Sequence, residues 1–327
     1  KWMKANGGIM TAADFANYHI VLREPVRTTY RGREIVSFAP PSSGGVHVVQ
    51  MLNILENFNL KSLDEATRWH VIGETMKLAF ADRAYWLGDP DFVRVPRGLV
   101  SKEYAAALAK QIDLKRANAV KQHGLPPGYQ NDFFKQHALK RPTESHDSRR
   151  EQAQIQSWSE SELLAALDWE LNEKHTTHWS VADAEGNWVA CTATINTSYG
   201  SKVVIPGTGV VLNNEMDDFS VQPGVPNAFG LVGAEANAVA PGKRPLSSMS
   251  PTIVLQDGKP IIGIGAAGGP KIISSVLVQL VAMLDLGKTP EEAMAMPRIH
   301  HQWSPDELMV EKAMPKEIIA ALEKLGH

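Results

Sequence analysis

A pair of threonines opens the most clearly patterned stretch of the chain. Residues 176–182 read T-T-H-W-S-V-A, and after a turn at 183–187 the strand pattern resumes as W-V-A-C-T-A-T-I-N. The segment before them is polar and poorly patterned. A β-rich unit that begins abruptly on a hydroxyl residue indicates a cleavage directly before Thr176. A new N-terminal threonine would carry a nucleophilic hydroxyl and, in its own α-amine, the general base.

A second threonine is expected beside the first. If the turn is centred near Glu185, antiparallel pairing places Thr194 opposite Thr176, and their hydroxyls can hydrogen-bond across the strands. A register slip of one residue would turn Thr194 to the other face. Threonines are also ordinary strand formers, so the pair taken alone favours a purely structural role.

The glycine-rich segment G-I-G-A-A-G-G at 263–269 follows a predicted strand and precedes a predicted helix. Gly263, Gly265 and Gly268 fit G-x-G-x-x-G, which keeps a dinucleotide-binding domain as an alternative. However, the preceding strand is the return arm of a tight hairpin, and no second strand ending in an acid follows. The context favours another use, in which Gly268 and Gly269 present backbone N–H groups to a developing negative charge. A turn that simply needs glycine is the structural alternative.

Two further clusters carry polar groups suited to a charged ligand. Ser247 and Ser248 are adjacent hydroxyl donors between stiffening prolines, and such a pair suits a carboxylate, although it is also common in turns. Glu215, Asp217 and Asp218 form an acidic cluster that either holds a substrate ammonium or is solvated.

Composition narrows the function classes. The chain has 327 residues and a formal net charge of −3, which calls for no nucleic-acid or membrane-surface partner. Its single cysteine, Cys191, excludes an intrachain disulfide framework, and no apolar run is long enough to span a bilayer. His175 and His178 fall on opposite faces of an extended strand without further ligands at suitable spacing, so no metal site is expected. No cofactor is expected either. Both ends resemble cut edges, which predicts a fragment.

The elements that must position these residues follow from periodicity and capping. Strand-like alternation covers 18–38, and Ser42 or Ser43 is expected to cap a helix. A long exposed linker is predicted from Gln122 to about Glu160. The other expected elements are a helix from about Asp64 to Leu87, a short helix capped by Ser101, a helix over 161–172, a strand and turn over 203–211, a hairpin over 252–265, an apolar helix ending near Gly287 and a helix opening at Thr289 or Pro290.

Together these motifs resemble the γ-glutamyltranspeptidase family of N-terminal-nucleophile hydrolases. The resemblance covers nearly the whole chain, in order. It rests on P-P-S-S-G-G at 40–45, L-G-D-P-D-F at 87–92, T-T-H-W-S at 176–180, N-N-E-M-D-D-F at 213–219, P-G-V-P-N at 223–227, R-P-L-S-S-M-S-P-T at 244–252, G-G at 268–269 and R-I-H-H-Q-W at 298–303.

The resemblance implies an α+β fold, a four-layer αββα sandwich that is incomplete in this fragment. It also implies a precursor, or zymogen, that cleaves itself between His175 and Thr176. Residues 1–175 would then be the C-terminal part of a large subunit ending in an exposed linker, and 176–327 the small catalytic subunit. The two subunits would form a heterodimer, periplasmic or secreted, with its signal region outside this chain.

The family's site residues map onto matching positions of this chain. Thr176 is the expected nucleophile, Thr194 orients it, and Gly268 and Gly269 form the oxyanion hole. The residues expected to bind the glutamyl group are Asn196, Glu215 and Asp218 at the amine, and Ser247 and Ser248 at the carboxylate. The family's carboxylate-binding arginine falls upstream of Lys1, and Phe229 stands where some relatives have a lid tyrosine.

The implied activity is acyl transfer from glutathione or a related γ-glutamyl compound to water, an amino acid or a peptide amine, through a γ-glutamyl-threonyl ester. Three alternatives remain. One is a cephalosporin or glutaryl acylase of the same family, although Glu215 and Asp218 argue for an α-amine that a glutaryl chain lacks. The others are the dinucleotide-binding domain and an unprocessed, non-catalytic relative.

Overall fold

The computed structural model describes residues 2–128 and 176–327. Its helices are α1 (Trp2–Ala5), α2 (Ala12–Asn17), α3 (Gly44–Leu55), α4 (Glu65–Trp86), α5 (Lys102–Ala109), α6 (Lys271–Leu284), α7 (Pro290–Ala295) and α8 (Lys316–Lys324). Its strands are β1 (Val26–Tyr30), β2 (Arg33–Ser37), β3 (Thr177–Ala182), β4 (Trp188–Ala193), β5 (Thr252–Gln256), β6 (Lys259–Ile264), β7 (Ile299–His300) and β8 (Met309–Val310). The mixture of helices and antiparallel strands agrees with the expected α+β class.

The central sheet joins strands from both described parts of the chain, 2–128 and 176–327. Its order is β1-β2-β5-β6, and each neighbouring pair is antiparallel. Alternate residues of a strand face opposite sides, so Tyr30, Ile35, Val254 and Ile264 share one face and are buried in the core. This face packs against helix α3, every residue of which is buried.

The opposite face of the sheet carries the hairpin β3–β4. An added Cβ at Gly265 would lie 2.1 Å from His178 Nδ1, and one at Gly263 would lie 3.1 Å from Ser180 Oγ. The missing side chains therefore let the hairpin lie directly on β6. Within the described residues, the layers are helices, a four-stranded sheet and a two-stranded hairpin.

Local capping explains where two of the helices begin. The Asp64 side chain accepts a hydrogen bond from Thr67 N at 3.0 Å at the start of α4, and Ser101 Oγ accepts one from Tyr104 N at 3.2 Å at the start of α5. Both helices were predicted, the second with Ser101 as its cap, and both are confirmed. The N-cap of α3 is Ser43, although its side chain makes no capping bond and instead bonds elsewhere.

Some predicted elements differ in extent. The strand expected over 18–38 begins only at Val26, because Pro25 has no N–H to continue the ladder. The region 203–211 is reduced to a single bridge between Val204 and Val211. The predicted helix at 161–172, and the linker beyond residue 128, lie outside the described residues. No helix in the described part combines the length and apolar character needed to cross a membrane.

Candidate active site

The hairpin register brings the two threonines together. Thr177 pairs with Ala193, so Thr176 faces Thr194, as the turn position predicted. Thr176 Oγ1 donates a hydrogen bond of 3.1 Å to Thr194 Oγ1, and the Asn196 N–H donates one of 2.9 Å to the same oxygen. The Thr176 hydroxyl is thus held at the very start of β3, in a half-buried position. His175, the other partner in the predicted cut, lies outside the described residues.

Asn196 ties the end of the hairpin to the acidic segment. Its φ of +80° is in the left-handed region, which asparagine tolerates better than most residues. Its Nδ2 donates to the Asn214 carbonyl at 3.1 Å, and the Thr197 N–H donates to Asn214 Oδ1 at 3.1 Å. Residues 213–219 are therefore held next to the threonine pair.

The acidic cluster forms a short 3-10 helix, Glu215–Asp218. Burial raises the pKa of Glu215 to about 7. Burial is also the main reason why the pKa of Asp218 rises to about 7, and repulsion from Glu215 adds to it. Glu215 and Asp218 lie close together, and both resist ionisation. A bound cation would stabilise their ionised forms.

The serine pair is held rigidly against the start of α3. The Ser43 N–H donates to the Ser247 carbonyl at 2.8 Å, and the Ser247 N–H donates to the Pro41 carbonyl at 2.9 Å. An added Cβ at Gly44 would lie 2.3 Å from the Met249 carbonyl oxygen, so this close approach requires glycine. The P-P-S-S-G-G segment therefore supports the serine pair.

The structure adds one residue that the sequence analysis missed. Arg83 of α4 has a relative exposure of 4 %. Its Nε donates to Ser43 Oγ at 3.0 Å, and its NH2 group donates to Ser248 Oγ at 3.2 Å. In the sequence, Arg83 is a charged residue of a predicted helix, and the structure buries that helix along almost all its length.

Gly268 and Gly269 form the turn that leads into α6. Their φ angles are +118° and +58°, in the region that favours glycine. The N–H groups of Lys271 and Ile272 turn back to the carbonyls of the two glycines at 3.2 and 3.0 Å. A helix N-terminus carries partial positive charge from its unpaired N–H groups. The turn thus suits the stabilisation of an anion.

The loop 223–233 connects this turn to the acidic cluster. An added Cβ at Gly269 would lie 3.1 Å from Phe229 Cδ1, so the Phe229 ring lies against the turn. Asn227 Oδ1 accepts from the Phe229 N–H at 3.0 Å, and Asn227 Nδ2 donates to the Asp218 carbonyl at 3.4 Å. Short chains of contacts therefore join the threonine pair to the acidic cluster, and the acidic cluster to the glycine turn. Arg83 hydrogen-bonds to Ser248 of the serine pair and attracts Asp218 of the acidic cluster electrostatically.

The structural setting of the glycine-rich segment favours packing over nucleotide binding. Gly263 and Gly265 make room for side chains of the hairpin, and β6 is antiparallel to β5. A dinucleotide fingerprint instead belongs to a βαβ unit with parallel strands. In the part of the chain that the structure describes, no group of three or more His, Cys, Asp or Glu residues is placed to hold a metal ion.

Comparisons with known proteins give one consistent family. The gamma-glutamyltranspeptidase family model matches residues 1–327. The glutathione hydrolase proenzyme of Escherichia coli (strain K12) is 44 % identical over 328 residues, which cover 99 % of this chain and 50 % of the relative. The Acylase ACY 1 proenzyme of Pseudomonas sp. (strain SE83) is 37 % identical over 329 residues, covering 100 % of this chain and 49 % of the relative.

Solved structures agree with this result. The crystal structure of cephalosporin acylase from Bacillus halodurans matches with a TM-score of 0.75 and 25 % identity, covering 100 % of this chain and 49 % of that chain. The chain thus spans about half the length of the curated relatives it matches. With the family model matched along its whole length, the chain belongs to the γ-glutamyltranspeptidase family.

Proposed function

We propose that this chain carries the nucleophile and most of the substrate site of a γ-glutamyl acyltransferase and glutathione hydrolase. The observation that carries the proposal is the 3.1 Å hydrogen bond from Thr176 Oγ1 to Thr194 Oγ1 at the first residue of the hairpin. Cleavage before Thr176 would free its α-amine beside its own hydroxyl, so that base and nucleophile belong to one residue.

The charged and polar groups around the threonine pair indicate which acyl group the site binds. Asp218 and Glu215 are suited to a substrate ammonium, with Asn196 alongside, and Ser247 and Ser248 to a carboxylate. A γ-glutamyl group carries both charges on one carbon. Glutathione, or a related γ-glutamyl compound, is therefore the proposed donor.

The proposed reaction proceeds through an ester. The α-amine of Thr176 accepts the hydroxyl proton while Oγ1 attacks the γ-carbonyl carbon, and the oxyanion that forms accepts hydrogen bonds from the N–H groups of Gly268 and Gly269. Collapse breaks the C–N bond, and the leaving amine takes up the proton. Water, or an amino acid or peptide amine, then attacks the γ-glutamyl ester and releases Thr176. None of these steps requires a metal or an organic cofactor.

The same proposal covers the maturation of the protein. Autocatalytic cleavage between His175 and Thr176 would leave residues 1–175 in a large subunit and 176–327 in a small one, joined as a heterodimer. The central sheet supports this arrangement because β2 pairs with β5 and so joins strands from the two sides of the proposed cut. We propose that the observed layers belong to a four-layer αββα sandwich, in a protein that is periplasmic or secreted.

A cephalosporin or glutaryl acylase is the second candidate. It is supported by the likeness to the Bacillus halodurans cephalosporin acylase and to the Acylase ACY 1 proenzyme. The half-buried acids disfavour it, because a glutaryl chain has no ammonium to compensate Glu215 and Asp218.

The test uses the protein expressed from its complete gene. Intact mass and N-terminal sequencing are expected to show a subunit that begins T-T-H-W-S, and the purified protein is expected to release the chromophore of a γ-glutamyl anilide. Thr176→Ala should remain one chain without activity. Thr177→Ala is the matched control, since Thr177 is exposed and its backbone alone pairs with Ala193; it should be cleaved and active. A wild-type protein that is active while uncut would refute the mechanism.

A further inference from the structure

Arg83 is a buried cation that forms no ion pair with any residue in 2–128 or 176–327. Its relative exposure is 4 %, and no Asp or Glu oxygen of the described residues lies within 4 Å of its guanidinium group. Burial lowers its pKa to about 10, so it remains charged at neutral pH. A buried charge is costly unless it is compensated. A charge at this position therefore requires either an anion that binds nearby or a role that depends on the charge.

The hydrogen bonds of Arg83 reach both members of the serine pair. Its NH2 group donates to Ser248 Oγ, and its Nε donates to Ser43 Oγ, which in turn donates to the Ser247 carbonyl at 2.8 Å. A guanidinium group has no acceptor, so Ser248 Oγ must accept from it. The single hydrogen of the Ser248 hydroxyl is then left to donate to another group.

Arg83 also influences the acidic cluster. Asp218 is the carboxylate that attracts Arg83, and this attraction lowers the pKa of Asp218. It opposes burial and the repulsion from Glu215 and Asp217, which raise that pKa.

The other titratable groups that face the guanidinium are His47 and His300. Burial lowers the pKa of each to about 3, so both are neutral at working pH. Arg83 is thus the positive charge that favours the ionised form of Asp218.

We propose that Arg83 is a positioning residue for the γ-glutamyl head group, directing the Ser248 hydroxyl toward the substrate carboxylate. The inference rests on the proposed function. The Ser248 contact carries the inference, and the attraction between Arg83 and Asp218 supplies a second, electrostatic readout on the ammonium side of the site.

Two substrates distinguish the effect of Arg83 on the carboxylate side of the site from its effect on the ammonium side. A γ-glutamyl anilide carries both charges, whereas a glutaryl anilide carries the carboxylate alone. Arg83→Gln should raise KM about tenfold for both, because Ser248 loses its charged donor. The acidic limb of the kcat/KM profile should move up by about one pH unit for the γ-glutamyl anilide, because Asp218 loses a nearby positive charge. For the glutaryl anilide the limb should not move.

Arg83→Lys keeps the charge but not the planar fork of donors. It should raise KM while leaving the acidic limb of the γ-glutamyl profile in place. The control is Arg31→Gln, which removes a half-buried arginine that donates from Nε to Asp285 at 2.8 Å, outside the proposed site. That variant should lose stability without a change in KM or in the pH profile.

The outcomes separate this inference from the proposed function. Wild-type protein that hydrolyses neither anilide overturns both. Wild-type activity, combined with an Arg83→Gln variant that has an unchanged KM and an equal loss of rate at every pH, overturns the role of Arg83 alone. If the glutamine variant does not fold, Arg83→Lys decides, and a wild-type KM in that variant refutes the inference.

Discussion

Asp218→Asn should make the protein more stable while destroying its preference for γ-glutamyl substrates. The folded protein raises the pKa of Asp218 from the ordinary 3.8 to about 7, mainly by burial. Between these values the folded state binds more protons at this position than the unfolded state. Stability therefore falls as pH rises from about 4 to about 7 and is level above that range. An asparagine cannot ionise, so the variant escapes this loss.

The size of the effect follows from the shift. A difference of about three pKa units is equivalent to about 4 kcal/mol at most. Part of this free energy comes from the repulsion between Asp218 and Glu215, and the variant also loses the attraction between Asp218 and Arg83. We expect a gain in the free energy of unfolding of about 1–3 kcal/mol at pH 8 and a negligible gain near pH 4.

Activity should respond in the opposite direction. Losing a desolvated partner of a charged group typically costs about 2–5 kcal/mol, so kcat/KM for a γ-glutamyl anilide should fall by about thirtyfold or more. A glutaryl anilide has no ammonium, and its turnover should stay the same or improve.

The assay is denaturant or thermal unfolding of the wild type and the variant at pH 4 and pH 8, combined with kinetics on both anilides. Asp217→Asn is the matched control, because Asp217 lies in the same 3-10 helix but is exposed; it should change the free energy of unfolding less than Asp218→Asn does and leave the preference for the γ-glutamyl anilide in place. If Asp218→Asn is less stable than wild type at pH 8, or if both substrates lose activity equally, the assignment of Asp218 as a half-buried ammonium-binding acid is wrong.

Three further substitutions test the positions of individual groups. Thr194→Val removes the acceptor of the Thr176 hydroxyl and should lower kcat by about ten- to a hundredfold with little change in KM; an unchanged kcat would show that the contact is incidental. Gly265→Ala places a Cβ 2.1 Å from His178 Nδ1 and should lower the unfolding free energy by about 1–3 kcal/mol, measured by denaturation, whereas a neutral result would contradict the packing of the hairpin on β6. Gly269→Ala puts a side chain at φ +58° against the Phe229 ring and should reduce kcat more than stability, which parallel kinetics and melting curves would separate.

Much of the local structure followed from short-range rules. Ser101 was identifiable as a helix cap because capping depends on residues within one turn. The pairing of Thr176 with Thr194 followed from the position of a turn, since an antiparallel hairpin has a register set by its loop. Errors arose where local alternation continued without a partner strand, as in the residues before Pro25.

The roles proposed for the acidic cluster and the serine pair were accessible from the sequence only through residue type and motif. Residue type alone offered no reason to connect Asp218 with Ser248, and only the family resemblance placed both around one glutamyl group. Arg83, which lies near both, contacts Ser248 across 165 positions of the chain. Its importance depends on burial, because among the described residues no carboxylate forms a close ion pair with it.

The amino-acid sequence alone was sufficient for the family, the pairing of Thr176 with Thr194 and most helix and hairpin positions, because these depend on neighbours along the chain or on ordered motifs. Tertiary structure decided the raised pKa values of Glu215 and Asp218, the contact between Arg83 and Ser248 and the packing role of Gly263 and Gly265. Each of these depends on solvent exclusion or on contact between distant segments. Such properties arise only when the helices, the sheet and the hairpin pack together.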